Sequence, residues 1–160
     1  MKARLYENYL LLKKFDAINS KIPIIEFSKD GTILSANQSY LNMFGYELNE
    51  VINKKHAIFV PEHERGSTEY SNFWDMLASS QICQGVFIRV RKNGKMVKIK
   101  ATYHPLIDEN GHCVRILKIA HPQNEENQKT EESEKTREIL KGCIRSIQNN
   151  ANLAYELLDI

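Results

Sequence analysis

The side chains of this chain that could do chemistry are mainly its histidines and cysteines. His56 lies in the segment Lys-Lys-His-Ala-Ile-Phe, and imidazole is a good ligand for iron; the alternative is a solvated loop histidine beside two lysines. His63 lacks the His-Glu-x-x-His spacing of a zinc helix, so we expect no metal there. An odd number of cysteines without a Cys-x-x-Cys pair argues against a disulfide framework or a zinc site: Cys83, Cys113 and Cys143.

Signatures of an enzyme are missing from the sequence. The chain has no phosphate-binding loop, no nucleophile elbow and no nucleotide-binding box of a kinase. Its formal net charge of +2 includes no basic block that would indicate a nucleic-acid partner. No apolar run approaches the ~20 residues that span a bilayer, and the N-terminus lacks the pattern of a signal peptide. We therefore expect a cytoplasmic protein that is not an enzyme.

The elements that must position these residues begin with a hairpin and a helix in the stretch 25–45. Asp30 and Gly31 form a strong turn signal between two short runs rich in β-branched residues. Asn37 can cap the following helix with its side-chain oxygen, and Gly45 can end it. The sequence therefore predicts a strand, a tight turn, a second strand and a helix.

Two longer helices are predicted from apolar residues that recur every three or four positions. The first covers 2–19, and its stripe consists of Leu5, Tyr9, Leu12, Phe15 and Ile18. That stripe either packs on the domain or forms part of a dimer contact. The second covers 67–80, where Ser67 or Thr68 can act as the cap. Its apolar face consists of Tyr70, Phe73, Trp74 and Leu77.

Three further strands are predicted at 86–90, 97–103 and 114–119, separated by Asn-Gly turns. The last of them is apolar on both faces, which predicts a central position in the sheet. The fold class is therefore α+β: a five-stranded antiparallel sheet, with short helices over one face that are inserted between the second and third strands.

The composition changes after Pro122. Residues 123–136 contain no apolar side chain and cannot add to a core. Beyond them a heptad seam is formed by Leu140, Ile144, Ile147, Ala151, Ala154 and Leu158. We divide the chain into a flanking helix (1–20), a central domain (21–121) and a polar linker with the start of a coiled-coil helix (122–160). The seam stops in mid-heptad, which favours a chain cut from a longer one.

Several features of the sequence recur together in one known family. They are the hairpin at Asp30-Gly31, the segment SANQSYLNMFGY, the histidine stretch before Phe59, the pair Phe73-Trp74 and the segment ATYHPLIDENG. In these features residues 22–121 resemble a PAS domain, and more narrowly the PAS domains of bacterial methyl-accepting chemotaxis and aerotaxis receptors. The tail is similar to the start of the helical signalling region of methyl-accepting chemotaxis proteins.

The resemblance implies a small pocket that holds haem, flavin, a small metabolite or nothing, with haem ranked ahead of flavin. If haem is bound, the resemblance implies that His56 is its axial ligand and therefore the metal-binding residue. The pocket residues that it implies are His56, Phe59, Trp74, Tyr103 and Leu117. Against haem, Leu117 and Ile119 stand where haem sensors of this type carry a gas-binding Trp. Against flavin photochemistry, the segment around His56 lacks the reactive cysteine of light sensors.

The function implied by the resemblance is that of a sensory module. It would be a homodimer through its flanking helices and would pass a signal through the C-terminal helix to a chemotaxis signalling domain or kinase complex. Two alternatives stay open. One is a sensor module of a histidine kinase, although no phosphoacceptor histidine follows His121. The other is a cofactor-free PAS module that only dimerises.

Overall fold

The computed structural model describes residues 2–123 and 137–146. The helices are α1 Lys2–Asn19, α2 Gln38–Phe44, α3 Leu48–Val51, α4 Glu62–Arg65 and α5 Thr68–Ala78, with a 3₁₀ turn at His56–Phe59. The strands are β1 Ile24–Phe27, β2 Ile33–Ala36, β3 Cys83–Val90, β4 Met96–Ile107 and β5 Cys113–Pro122. A further helix, α6, covers 137–146.

The five strands form one antiparallel sheet in the order β2-β1-β5-β4-β3. The last strand in sequence, β5, is central and pairs with β1 on one side and with β4 on the other. Both the α+β fold class and the central position of the last strand are therefore confirmed. The short helices α2 to α5 lie between β2 and β3 in sequence and cover one face, which we call the inner face.

Local side-chain chemistry explains the start and end of α2. The Asn37 side chain accepts a hydrogen bond from the Tyr40 N–H at 2.9 Å, as an N-cap should. The same side chain donates to the carbonyl of Ile22 at 2.6 Å, so it also ties the helix to the approach to β1. Gly45 ends the helix at φ 79°, a left-handed conformation that costs glycine little. The predicted capping residues therefore fix where this helix lies.

The central strand contributes to two hydrophobic clusters because its side chains alternate between the two faces of the sheet. Ile116 and Ala120 belong to the inner core, together with residues of the helices. Leu117 and Ile119 belong to a second cluster, which includes Ile22, Ile24, Leu140 and Ile144. The second cluster places α6 on the outer face, directly over β5.

The apolar stripe of α1 does not pack on the domain along most of its length. Leu5, Tyr9 and Leu12 keep 72%, 54% and 63% of their surface exposed. Ile18, near the end of the helix, is the member of the stripe that packs against the second cluster. The interpretation of α1 as a helix packed on its own domain is therefore wrong for its first three turns, and a dimer contact stays a prediction.

The predicted polar linker and most of the heptad seam lie at 124–136 and 147–160, outside the described residues. Two seam residues, Leu140 and Ile144, fall within α6 and are buried on the outer face. Among the helices of the described ranges, none is long and apolar enough to cross a membrane.

Candidate functional site

His56 lies in the interior, at the start of the 3₁₀ turn, with no exposed surface. Its backbone N–H donates to the carbonyl of Gly31 at 2.8 Å, which fixes the turn against the β1-β2 hairpin. Its Nδ1 lies 3.0 Å from the Tyr70 hydroxyl, and its Nε2 lies 3.0 Å from the Tyr103 hydroxyl. Both ring nitrogens are therefore engaged by tyrosines from opposite sides, one on α5 and one on β4.

Aromatic rings surround the His56 imidazole. The ring-centroid distances run from 5.3 Å to 6.5 Å, and the rings are those of Phe27, Phe59, Tyr70, Phe73, Trp74 and Tyr103. Trp74 also covers Gly31: a Cβ atom added to this glycine would lie 3.0 Å from the indole ring. The hairpin turn can therefore approach α5 this closely only with glycine at its tip.

Burial keeps the His56 imidazole neutral. Desolvation lowers its pKa well below the usual value of 6.5, and the nearby charges of Lys118 and Arg89 lower it further. A neutral imidazole has one donor and one acceptor nitrogen, so one of the two tyrosine hydroxyls donates to it and the other accepts from it. Burial also raises the pKa of Tyr103 to about 12, which keeps that hydroxyl protonated at neutral pH.

Two basic residues that the sequence analysis did not select also point into the interior. Lys118, on β5, is fully buried, and its Nζ donates to the Tyr40 hydroxyl at 3.2 Å. Arg89, on β3, is 3% exposed, and its Nη1 lies 3.5 Å from a Glu64 carboxylate oxygen. The Arg89 Nε is buried without a hydrogen-bond partner. Among the described residues the interior therefore holds two basic side chains and no buried carboxylate.

Burial of the Lys118 amine is energetically unfavourable for its charged form. Burial, and secondarily the charge of Arg89, lower its pKa well below the usual value. Taking an ammonium ion out of water costs several kcal/mol. A cation over an aromatic ring recovers about 0.5–2 kcal/mol, and the Nζ lies 4.9 Å from the Tyr103 ring centroid. This interaction offsets only part of the penalty, so burial still disfavours the charged amine.

The structure brings four of the five predicted site residues together. Phe59, Trp74 and Tyr103 all lie against His56. Leu117 does not join them, because it follows Ile116 on β5 and therefore points to the outer face. Its assignment to the pocket is a correction: it contacts the cluster under α6.

Haem does not fit the arrangement of side chains around His56. An axial histidine must present a free ring nitrogen to the iron, whereas both nitrogens of this ring bond to hydroxyls at 3.0 Å. The rings of Tyr70, Trp74 and Tyr103 also lie 5.3–5.9 Å from the imidazole, centroid to centroid, so a porphyrin at this ring would have to displace them. Among the described residues no cluster of three or more metal-binding side chains exists.

A flavin–thiol adduct does not fit either. The described cysteines are Cys83 at the start of β3, Cys113 at the start of β5 and Cys143 in α6. The 3₁₀ turn, where the sequence analysis looked for the reactive cysteine, consists of His-Ala-Ile-Phe. Burial raises the pKa of both Cys83 and Cys113, which makes them poor nucleophiles.

A surface cleft of about 680 Å³ lies next to this interior cluster. Its floor includes Tyr70 and Trp74, the two α5 side chains that contact His56. Its rim is formed by Lys29 and Asp30 of the hairpin and by Arg65, Gly66 and Ser67 before α5. Tyr70 and Trp74 therefore separate solvent from the buried histidine.

One feature of the sequence indicates that Lys118 faces the interior. The residue interrupts an otherwise apolar central strand, and it has the same parity as Ile116 and Ala120, which face the inner core. A charged residue at an inward position of a central strand is rare without a partner. Arg89 gave no such signal, because alternation on β3 does not show which of its two faces is buried.

The fold and the site together define a PAS-type domain: a five-stranded antiparallel sheet with short helices over a small interior site. The model of the PAS fold family matches residues 33–120. The chain belongs to the PAS fold family.

Known proteins agree with this assignment. The biofilm dispersion protein BdlA of Pseudomonas aeruginosa is 30% identical over 118 residues, which cover 74% of this chain and 28% of BdlA. The chain thus spans little more than a quarter of the length of that curated relative. The LOV protein of Rhodobacter sphaeroides has a similar structure, with a TM-score of 0.66 at 14% identity, covering 93% of this chain and 97% of that one.

The PAS domain of an HTR-like protein from Haloarcula marismortui is also similar, with a TM-score of 0.59 at 18% identity. That match covers 77% of this chain and all of the other. At these identities the two structures show a common fold only. The sequence-based prediction of a PAS domain is therefore confirmed.

Proposed function

We propose that this PAS sensory domain binds a small molecule at the inner face and passes the signal to α6. The observation that carries the proposal is the alternation along β5. Lys118 faces the interior site, and its neighbours Leu117 and Ile119 face the residues under α6. A shift of β5 that accommodates a ligand at position 118 would therefore move the surface on which Leu140 and Ile144 rest.

The proposed sequence of events uses groups that are already in contact. A ligand enters past Tyr70 and Trp74, at the floor of the cleft, and breaks the Tyr70–His56–Tyr103 hydrogen-bond chain. Because Tyr103 pairs with Lys118 across the β4-β5 ladder, its displacement changes the position of the central strand. The ligand then shifts the population of α6 between two arrangements on the sheet. The domain acts by binding and catalyses no reaction.

The biological setting is proposed from the relative. BdlA is named for biofilm dispersion, and we place this chain in bacterial behavioural signalling of the chemotaxis type. The output would be a signalling domain or kinase complex beyond α6. The alternative output, a histidine kinase, uses the same PAS-to-helix connection.

We also propose a homodimer, because two apolar surfaces of the single chain are left open. One is the α1 stripe, with Leu5, Tyr9 and Leu12 exposed. The other is the outward face of β3, where Val86 and Ile88 keep 48% and 42% of their surface exposed. Burial of such side chains in a second copy would contribute roughly 25 cal/mol per Å² of apolar surface.

The ligand-binding proposal can be tested with Trp74, the single tryptophan of the chain. A set of chemically diverse small molecules is titrated into the full chain while the emission of Trp74 is followed. We expect saturable changes in emission with one class of molecule, and loss of that response in Tyr103→Phe, which breaks the hydrogen-bond chain. Lys14→Glu, on the exposed side of α1, is the matched control. If no molecule in the set gives a saturable response, the domain is not a small-molecule sensor.

A further inference from the structure

We propose that the interior site takes a small organic acid whose carboxylate pairs with the Nζ of Lys118. This inference rests on the proposed function, since it names the chemical class of the ligand. It assigns to Lys118 the role of the binding residue, in place of His56.

The surroundings of Lys118 lack the partner that a buried ammonium ion requires. Its Nζ has one hydrogen-bond partner among the described residues, the Tyr40 hydroxyl at 3.2 Å. Three aromatic ring centroids lie around it, those of Tyr103 at 4.9 Å, Tyr40 at 5.4 Å and Phe44 at 5.9 Å. No carboxylate of the described residues lies within 4.0 Å of the Nζ, so the amine is left without an ion-pair partner in the described part of the chain.

The groups that face Lys118 from the neighbouring elements are neutral or positive. Tyr40 on α2 and Tyr103 on β4 carry neutral hydroxyls whose pKa values burial raises. His56 in the 3₁₀ turn is neutral, and Arg89 on β3 is positive. The buried polar side chains of the described part are His56, Arg89 and Lys118. The Glu64 side chain, beside Arg89, is 39% exposed and is therefore partly solvated. The described residues therefore place two basic side chains in the interior and no buried carboxylate.

The rest of the ligand follows from the other side chains of the site. The inner core to which the rings around Lys118 belong is aromatic and aliphatic, with Phe27, Phe44, Phe59 and Ile116 among its buried members. An acid with one carboxylate for Lys118 and a short apolar or aromatic body matches this lining. The ligand class is a small apolar monocarboxylic acid.

Binding of such an acid should be coupled to proton uptake. In the free domain burial lowers the pKa of Lys118, and a paired carboxylate raises it again because it favours the charged amine. Where the free amine is neutral, each bound carboxylate therefore brings up to one proton into the complex, and the affinity falls as pH rises. A carboxylate bound to an amine that is already charged would take up none.

The test is calorimetric titration of the full chain with acetate, butanoate, hexanoate, benzoate and phenylacetate, each beside its neutral amide. Titrations in PIPES and in Tris, whose ionisation enthalpies differ, give the number of protons taken up. We expect at least one acid to bind ten-fold or more tightly than its amide, with net proton uptake. Lys118→Met should weaken that acid at least ten-fold, and Lys98→Met, on the exposed face of β4, should leave it unchanged.

The inference is overturned if none of these acids binds, if acids and amides bind equally, or if Lys118→Met keeps the affinity. Where Lys118→Met does not fold, the comparison of each acid with its neutral amide in the wild-type chain decides the question. If the amides bind and change Trp74 emission, the sensor proposal stands but the assignment of an acid as the ligand fails. If an acid binds through Lys118 but leaves α6 unchanged, the assignment of the ligand stands and the proposed signalling to α6 is refuted.

Discussion

His56 is held by two tyrosine hydroxyls and shielded from solvent, so its role is first of all structural. Its removal leaves the buried Tyr103 hydroxyl without its imidazole partner and opens a cavity beside Trp74. We expect His56→Ala to lower the free energy of unfolding by about 3 kcal/mol, from an unmade hydrogen bond and a cavity. Urea unfolding of both proteins measures the difference.

The control for this variant is Tyr70→Phe, which removes one hydrogen bond to His56 and leaves the ring in place. It should cost about 1 kcal/mol. A loss below about 0.5 kcal/mol in His56→Ala would contradict the structure, since that is what a surface substitution costs.

Lys118 makes stability depend on pH with a definite sign. Its pKa is lower in the folded than in the unfolded chain, so between these two values the unfolded chain binds one more proton. The wild type therefore loses stability as pH falls through this window, and Lys118→Met lacks this loss. We expect the stability of Lys118→Met relative to wild type to grow by up to about 1.4 kcal/mol per pH unit as pH falls from the usual lysine pKa of 10.5 towards the lower pKa of the folded chain.

Urea unfolding at several pH values measures this difference, with Lys98→Met as the control for removing a lysine from the exposed surface. A difference between Lys118→Met and wild type that stays constant across this pH range would show that the amine is not destabilised by its burial.

At the residue scale, the sequence identified the aromatic members of the site and missed the buried charge. His56, Trp74 and Tyr103 were reachable because each stands in a motif that the PAS resemblance contains. The strand pattern signalled the inward position of Lys118, but the surroundings of its amine were out of reach, because helices far away in sequence cover the inner face of β5. The hydrogen bonds of His56 to two tyrosines were equally out of reach, since Tyr70 and Tyr103 are 33 residues apart in the sequence.

The β1-β2 hairpin is the element whose turn sets the approach of α5. Gly31 has φ 81°, and Gly94, in the β3-β4 turn, has φ 80°. An alanine in this left-handed conformation costs roughly 1–2 kcal/mol. At Gly31 the new Cβ would also lie 3.0 Å from the Trp74 ring, whereas at Gly94 nothing lies within 4 Å.

We therefore expect Gly31→Ala to destabilise the domain by roughly 1 kcal/mol more than Gly94→Ala. It should also change the emission of Trp74, which Gly94→Ala should leave as in wild type. Urea unfolding followed by tryptophan fluorescence gives both quantities. Equal destabilisation with unchanged emission in the two variants would contradict the close contact of hairpin and α5.

Elements with strong local signals were predicted well, and those without them were not. The caps at Asn37 and Ser67 and the turn glycines are local, and each lies where the sequence placed it. The face of a strand is not a local property. On β3, Phe87 and Arg89 face the interior while Val86 and Ile88 are exposed, and alternation alone fits either choice.

At the scale of the whole molecule, the exposed stripe of α1 is the feature that a single chain does not explain. We expect the wild-type chain to be a dimer, and Leu12→Glu to shift it to a monomer, because a charge would be buried in the contact. Sedimentation velocity over a range of protein concentrations measures the state. Lys14→Glu, on the opposite side of α1, should keep the dimer, and a wild-type chain that stays monomeric would refute this contact.

The central claim is that the inner face of β5 and α6 on the outer face are coupled through one strand. Amide hydrogen exchange of residues 137–146 tests it most directly, in wild type, Lys118→Met and the surface control Lys98→Met. We expect Lys118→Met to change the exchange rates in α6, and Lys98→Met to leave them as in wild type. If Lys118→Met changes exchange in β4 and β5 while residues 137–146 exchange as in wild type, the strand does not connect the site to the helix.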